Sequence, residues 1–501
     1  MSNLSELLPS GGGQNQVEFV ASGTLPNGKP VVLKSNGQIE VVAETSISQS
    51  IPAGSEVVFK TSARNTKVSF DPSTKNKFVL IYRDSSNSNY GKAVVGTVNG
   101  TSMSFGSETV FNSAAFGFLG LAFDPNTAGN FVIVYKDEGS SNHGIARVGQ
   151  ISGTSISFGS KSTFKSAAMG FAENVIVFNP NVSGQCVIGY ADASNSTYGT
   201  AILGTVSGTS ISFGSATVFE SDYSQYLSIS ADPANTGKFI ITYNDYNNSN
   251  YGTAILGTIS GSSISFGSAV VFKSGKTGPT SVAFDPITAN KFFVAFRDDN
   301  GGGTNTFYGT AIVGTVSGTS ISFGTAVVYN SAQSTYPSIA TDGNTANKCA
   351  IVFKDGGNSG YATVIIGSIS GSGISFGSKS VVNSGESTNP SISFDSKSTG
   401  KFVVTYKDEG NSDYGTAIIG QMAATSTNLT ATNLIGIAAE ATSSGATAKI
   451  NTWGGINESQ TSLTIGSDYY AQTNGTITTA TGGQKLGTAI SATTINIRDL
   501  P

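Results

Sequence analysis

The residues best suited to hold another molecule recur as a pair: an Asp and, usually six positions later, a Tyr. Asp84 and Tyr90, Asp192 and Tyr198, Asp245 and Tyr251, Asp355 and Tyr361, and Asp408 and Tyr414 keep this spacing. Asp137 is followed by His143 in place of Tyr, and a Gly-rich insertion separates Asp298 from Tyr308. Asn and Ser fill the gaps, as in Asn247-Asn248-Ser249-Asn250. Tyr faces stack on sugar rings, and Asp and Asn bond sugar hydroxyls. Seven such pairs on one face would form a ring of weak sugar subsites acting by avidity. The same residues have a plainer reading. Asp caps the backbone N–H groups of a hairpin turn, and Tyr opens the next strand. Recurrence in every copy favours the turn reading, because architecture repeats while active sites are usually unique.

Other chemistry has little material. The 501-residue chain has one His, His143, and two Cys, Cys186 and Cys349, so zinc sites and Cys- or Ser-His catalysis are not expected. No metal site and no cofactor is expected. Arg83 and Arg297 occupy a repeat position held elsewhere by Lys136, Lys354 and Lys407, and read as solvated surface charges. Asp298-Asp299 and Asp408-Glu409 could supply paired glycosidase carboxylates, but each pair shares one turn and reads as solvent-facing. The chain is therefore expected not to be an enzyme. Lys and Arg number 27 against 31 Asp and Glu, with no basic block, which argues against nucleic-acid binding. No run of 18 apolar residues is present for membrane insertion. The segment Met1–Leu8 lacks the basic start and long apolar stretch of a secretion signal.

The elements that position these residues are repeated. Ser-Phe-Gly recurs with its Phe at Phe105, Phe158, Phe213, Phe266, Phe323 and Phe376, at intervals of 53 to 57 residues. A turn residue, Asp71, Asp124, Asn179, Asp232, Asp285, Asp342 or Asp395, moves in step with it. Gly is 62 of 501 residues and charged residues only 12%, about half the usual share of roughly 25%. Val, Ile, Thr, Phe and Tyr broken by Gly, Ser and Asn indicate an all-β protein. In the fourth copy strand a is Tyr226–Ala231, strand b Lys238–Tyr243 and strand c Tyr251–Gly257, and strand d carries Ile264, Phe266 and Val270–Phe272. Four strands per unit of about 50 residues is the pattern of propeller blades.

The ends set the blade count. Seven a-b-c sets carry only six complete d strands, while an orphan d-type strand, Ser55–Ser62, precedes the first set. Pairing the orphan with the last set predicts a closed seven-bladed β-propeller over 46–420, leaving no open sheet edge. Cys186 and Cys349 stand where other copies have Phe, and read as core filler, not a disulfide. The flanks 16–45 and 421–501 are non-repeat β pieces, too small to fold well alone, and are expected to form one small β base domain together. In the first, a hairpin is expected around Asn27-Gly28 and Asn36-Gly37. Residues 1–15, ending near Gly11-Gly12-Gly13, read as a flexible or docking arm.

Two stretches carry a resemblance. Ala21-Ser-Gly-Thr-Leu-Pro-Asn-Gly-Lys-Pro-Val-Val-Leu33 resembles openings of structural proteins of tailed phages, especially marine and cyanobacterial ones. Ile435-Gly-Ile-Ala438, Leu463-Thr-Ile-Gly466 and Gly487-Thr-Ala-Ile-Ser491 resemble a small β module of the same proteins. The resemblance implies a virion component of tail-fibre, spike or capsid-decoration type. Its base would bind other virion proteins and self-associate as a homo-oligomer, while the propeller meets a host-surface glycan or stabilises the particle. A bacterial surface adhesin or glycan-binding lectin is the alternative reading, and a propeller glycan hydrolase the second alternative.

Overall fold

The computed structural model describes residues 15–170, 175–301 and 306–498. The expected arm at 1–15 lies outside the described residues except for Asn15, as does most of the Gly-rich insertion, at 302–305. Two compact units divide the chain: residues up to 47 with those from 425 onward, and residues 48–424.

The larger unit is all-β, built from seven antiparallel four-strand repeats. In each repeat the second strand is apolar on both faces. Phe78, Val79, Leu80, Ile81 and Tyr82 in Lys77–Asp84 are all 0% exposed. A strand packed on both sides needs a continuous apolar run, not alternation, which is why Phe-Val-Leu-Ile-Tyr occurs there. The third strand returns in hairpin register, so every Asp/aromatic pair is the closing pair of a hairpin. Asp84 opposes Tyr90, Asp137 His143, Asp192 Tyr198, Asp245 Tyr251, Asp298 Tyr308, Asp355 Tyr361 and Asp408 Tyr414.

The outer strand departs from expectation. It comes in two pieces on the third strand, and in the later repeats the second piece runs unbroken into the next repeat. Thr217–Ala231, Val270–Phe284, Val327–Thr341 and Ser380–Phe394 each span 15 residues, serving as outer strand at one end and inner strand at the other. The sequence pattern suggested two strands because a β-bulge and polar residues interrupt the alternation midway. Between the first and second repeats the strand is broken, Thr109–Asn112 being followed by Phe116–Phe123.

The orphan strand Val57–Lys60 pairs antiparallel with the last third strand, Tyr414–Gln421, through Lys60↔Gly415, Val58↔Thr416 and Val57↔Ala417. Phe59 on this strand meets first-repeat rings, with centroids 5.3 Å from Tyr82 and 5.8 Å from Phe105. Inner strands meet through serines. Val282 and Phe284 donate backbone N–H groups to Ser228 and Ser230 of the preceding repeat, and Ile392 donates to Ser338. Val68 and Phe70 of the first repeat donate in the same way to Ser391 and Ser393 of the last.

A glycine near the end of each third strand makes room for a core ring. A Cβ on Gly96 would lie 2.0 Å from the Phe78 ring, and one on Gly420 2.1 Å from Phe402. Cys186 and Cys349 replace that ring beneath Gly204 and Gly367. Both are buried free thiols, and burial pushes Cys186 up to about 12, so neither is a ready nucleophile.

The smaller unit interleaves both flanks. One sheet runs Gln16–Val20, Thr447–Asn451, Leu434–Ala438, Pro30–Leu33, Ile39–Val41. Only the second half of the expected N-terminal hairpin forms, Pro30–Leu33 with Ile39–Val41 about Asn36-Gly37. Gln16–Val20 pairs instead with Thr447–Asn451. The reason is burial: Val32, Leu434, Ile437, Leu486, Ile495 and Ile497 share one core, to which neither flank alone contributes enough apolar surface.

Candidate binding site

The seven recurring Asp residues do not form an open ring of ligand groups. Their exposure runs from 0% at Asp84 to 9% at Asp245. Six of the seven hairpin turns consume one carboxylate oxygen. Asp84, Asp137, Asp192, Asp298 and Asp355 accept the N–H two residues on, from Ser86, Gly139, Ser194, Asn300 and Gly357 at 3.0–3.2 Å. Asp245 accepts from Asn248 at 3.2 Å, whereas Asp408 makes no side-chain cap. The other oxygen meets a cation in several repeats. Lys60, Lys165 and Lys273, each on the outer strand of one repeat, reach Asp84, Asp192 and Asp298 of the next at 2.9, 2.6 and 2.7 Å. Lys161 reaches Asp137, and Lys379 reaches Asp355, both at 2.8 Å. Asp84 shows the balance: burial opposes its ionisation, but Ser86, Lys60 and Lys92 outweigh burial and hold the carboxyl at about 2. Five of the seven Asp carboxylates thus already hold a cation, three of them one from the preceding repeat. Tyr90, His143, Tyr198, Tyr251, Tyr308, Tyr361 and Tyr414 are half-buried at the starts of their strands.

One such contact is inverted. Glu220 takes the position of Lys165 and Lys273, so the fourth junction sets a carboxylate towards Asp245. Tyr243 donates its hydroxyl to Glu220 at 2.8 Å. Burial first, then the charges of Asp245 and Asp222, raise the Glu220 carboxyl, and burial together with Asp222 raises Asp245.

Arg83 and Arg297 are not the solvated charges expected of them. Their side chains are 22% and 20% exposed. Arg83 Nη1 donates to the Phe116 carbonyl at 2.9 Å. Arg297 grips Asp299 with Nε and Nη2 at 2.6 and 3.1 Å, with its guanidinium 5.1 Å from the centre of the Phe307 ring. Asp299 is consequently 2% exposed and not solvent-facing.

The inner strands enclose a different site. A cavity of about 570 Å³ is lined from all seven repeats. Its walls carry the hydroxyls of Thr66, Ser228, Thr280, Ser281 and Ser338 beside Lys67, Arg83, Lys136 and Glu138. At the end nearest the Asp-capped turns, the inner-strand register shifts in a β-bulge. The bulge puts one residue, six before the turn Asp, in the left-handed region: Asn65 (φ +52°), Phe118 (+52°), Tyr226 (+52°), Tyr336 (+54°) and Asn389 (+50°). Bulky side chains rarely adopt this conformation, and each instance costs about 1–3 kcal/mol. Three aromatic residues therefore hold a strained backbone where they border the cavity. Lys136 Nζ stands 4.8 Å from the centre of the Phe118 ring, and Tyr336 is 42% exposed. Aromatic faces over a hydroxyl-lined, charged cavity suit a polar ring-shaped ligand with an apolar face.

Periodicity hid this site. The turn residue after the inner strand is Asp in six of the seven repeats, Asn179 being the exception, but the residue six before it varies as Asn65, Phe118, Tyr226, Pro279, Tyr336 and Asn389 in the described repeats. An aromatic residue at a position that changes between copies was the available signal.

No protein-family model and no curated protein matches the sequence. Among solved structures the chain is similar to the BP39L lectin from Burkholderia pseudomallei, with a TM-score of 0.54 and 9% identity, covering 73% of this chain and 99% of that one. Sqt1 from Chaetomium thermophilum matches with a TM-score of 0.45 at 8% identity, covering 75% of this chain and 100% of that one. A mutant of the Aleuria aurantia lectin AAL, solved with Fucalpha1-6GlcNAc, gives 0.42 at 11%, covering 65% and 98%. At such identities the likeness is one of fold, and only the first is close enough to use.

Proposed function

We propose that residues 48–424 form a closed seven-bladed β-propeller that binds carbohydrate at the mouth of its axial cavity. The closing strand Val57–Lys60 and the serine bonds from Val68 and Phe70 to the last repeat support the closure. The likeness in fold to the BP39L lectin supports the class. One observation carries the binding reading: Phe118, Tyr226 and Tyr336 are held in left-handed backbone around a cavity rich in hydroxyls. Binding is favoured over hydrolysis because Glu138 is the one carboxylate among the described lining residues, whereas glycosidic hydrolysis generally uses a pair.

The test is a glycan array followed by titration of whatever binds. Tyr226→Ala and Tyr336→Ala should each weaken binding about two- to tenfold with melting temperature unchanged or raised, because each removes a stacking face worth about 0.5–1.5 kcal/mol. Unchanged affinity in the double variant would reject the axial mouth as the site. Class averages of the particle by electron microscopy would count the blades directly.

Display on a tailed-phage particle is a separate proposal, carried by the flank stretches Ala21–Leu33 and Gly487–Ser491. Mass spectrometry of purified virions tests it, and absence of the chain from the particle would reject it.

A further inference from the structure

Arg83 and Arg297 occupy the same repeat position, and comparing them shows what Arg83 lacks. In the fifth repeat the guanidinium of Arg297 is held by both oxygens of Asp299, two residues along. In the first repeat the residue two along from Arg83 is Ser85. Both Arg83 Nε and Ser85 Oγ are buried without a hydrogen-bond partner. The nearest carboxylate oxygen, on Glu138, stands 3.9 Å from Nη1, too far for a hydrogen bond. A buried donor left unmade costs about 1–3 kcal/mol, so such groups call for an explanation. Arg83 also lines the axial cavity, and Arg297 does not.

We propose that the saccharide bound at the mouth is anionic, bearing a carboxylate or a sulfate ester, and that the cavity-lining guanidinium of Arg83 receives that anion, as the guanidinium of Arg297 receives Asp299. This rests on the carbohydrate reading above and adds the charge of the ligand to it. The planar guanidinium presents paired donors that match a carboxylate or sulfate edge, a fit that a neutral hydroxyl does not use fully. Tyr336, on the same cavity and 42% exposed, supplies a stacking face for the ring that carries the anion.

The experiment is calorimetric titration of the full chain, at physiological salt, with three probes: trigalacturonic acid, a sulfated heparin tetrasaccharide and neutral maltotriose. At least one acidic probe is expected to bind tenfold or more tightly than the neutral one, and which one tells carboxylate from sulfate. Arg83→Gln should erase that preference. Arg83→Lys should restore part of it, because a point charge replaces the fork but not its geometry. Equal binding of acidic and neutral probes, or an acid preference that survives Arg83→Gln, would overturn the anionic assignment and leave the carbohydrate reading standing. No binding of any saccharide, here or on the array, would remove both. Should Arg83→Gln unfold, the Arg83→Lys comparison decides alone: an acid preference identical to that of the unmodified chain counts against the assignment.

Discussion

The Asp395 carboxylate accepts the backbone N–H of Asn76 at 2.8 Å, across 319 residues of chain. The same bond joins sequence neighbours: Asp124 to Gly184 and Asp342 to Gly400, both at 2.9 Å, and Asp285 to Asn347 at 2.5 Å. A contact that recurs unchanged between the last repeat and the first is what a ring requires. Asp395→Ala should therefore destabilise about as much as Asp124→Ala, each by about 1–3 kcal/mol, since each strands a backbone N–H of the neighbouring repeat and uncaps a turn. Urea titrations of the two variants compare them. A clearly smaller loss for Asp395→Ala would mean that the ends merely touch.

Core room should be exchangeable between ring and methyl. Gly96→Ala drives a Cβ into Phe78 and should cost about 1–3 kcal/mol. Gly204→Ala, which meets the Cys186 thiol at 2.7 Å and Ile211 Cδ1 at 3.0 Å, should cost less. Phe78→Cys in the Gly96→Ala background should cost less than the sum of the two single changes, measured as a double-mutant cycle.

The inverted contact at Glu220 is correctable. Glu220→Lys should restore the arrangement of Lys273 with Asp298 and raise stability by about 1 kcal/mol, or about 2 °C in melting temperature. The pH response should change with it. Folded Glu220 and Asp245 hold protons more tightly than their ordinary values of 4.5 and 3.8, so their contribution is full below those values and is lost as pH rises through the raised ones. Melting curves from pH 4 to 7 should show this decline in the unmodified chain, and less of it in Glu220→Lys.

Asp84 should respond in the opposite sense. Its folded carboxyl is held at about 2, below the ordinary 3.8, so its stabilisation is present above 3.8 and is lost as pH falls towards 2. Lys60→Met removes one of the two ammonium groups and should move the midpoint of Asp84 upward in a carboxyl-carbon NMR titration.

Much of the fold was legible because it repeats. The Ser-Phe-Gly motif and the recurring Asp marked the units, and the surplus strand at Val57–Lys60 marked its partner. The role of Asp84 was open, since a turn-capping Asp and a ligand-binding Asp look alike until burial is known. Arg83 and Arg297 were misread for a related reason: solvated and clamped guanidiniums share one sequence pattern, and only the neighbour two residues along, Asp299 or Ser85, separates them. The fused strand Val270–Phe284 escaped notice because its central bulge reverses the inward face, breaking the alternation by which a strand is recognised. The aromatic positions Phe118, Tyr226 and Tyr336 were not legible because they vary between copies, whereas the repeat pattern carries only what recurs.

The interruption between Asn112 and Phe116 has a mechanical meaning. From Thr217 onward, neighbouring repeats share one unbroken backbone strand, and a pull on one is borne at once by the ladders of the next. At Ser113–Ala115 the strand ladder is interrupted, and the crossing is held by single bonds: Ala115 O accepts from the Glu138 N–H and Ala114 O from Asn112 Nδ2, both at 3.1 Å. Stretched in an optical trap, the protein is expected to yield at such interruptions, here and between Lys60 and Ala63, before the fused strands give way.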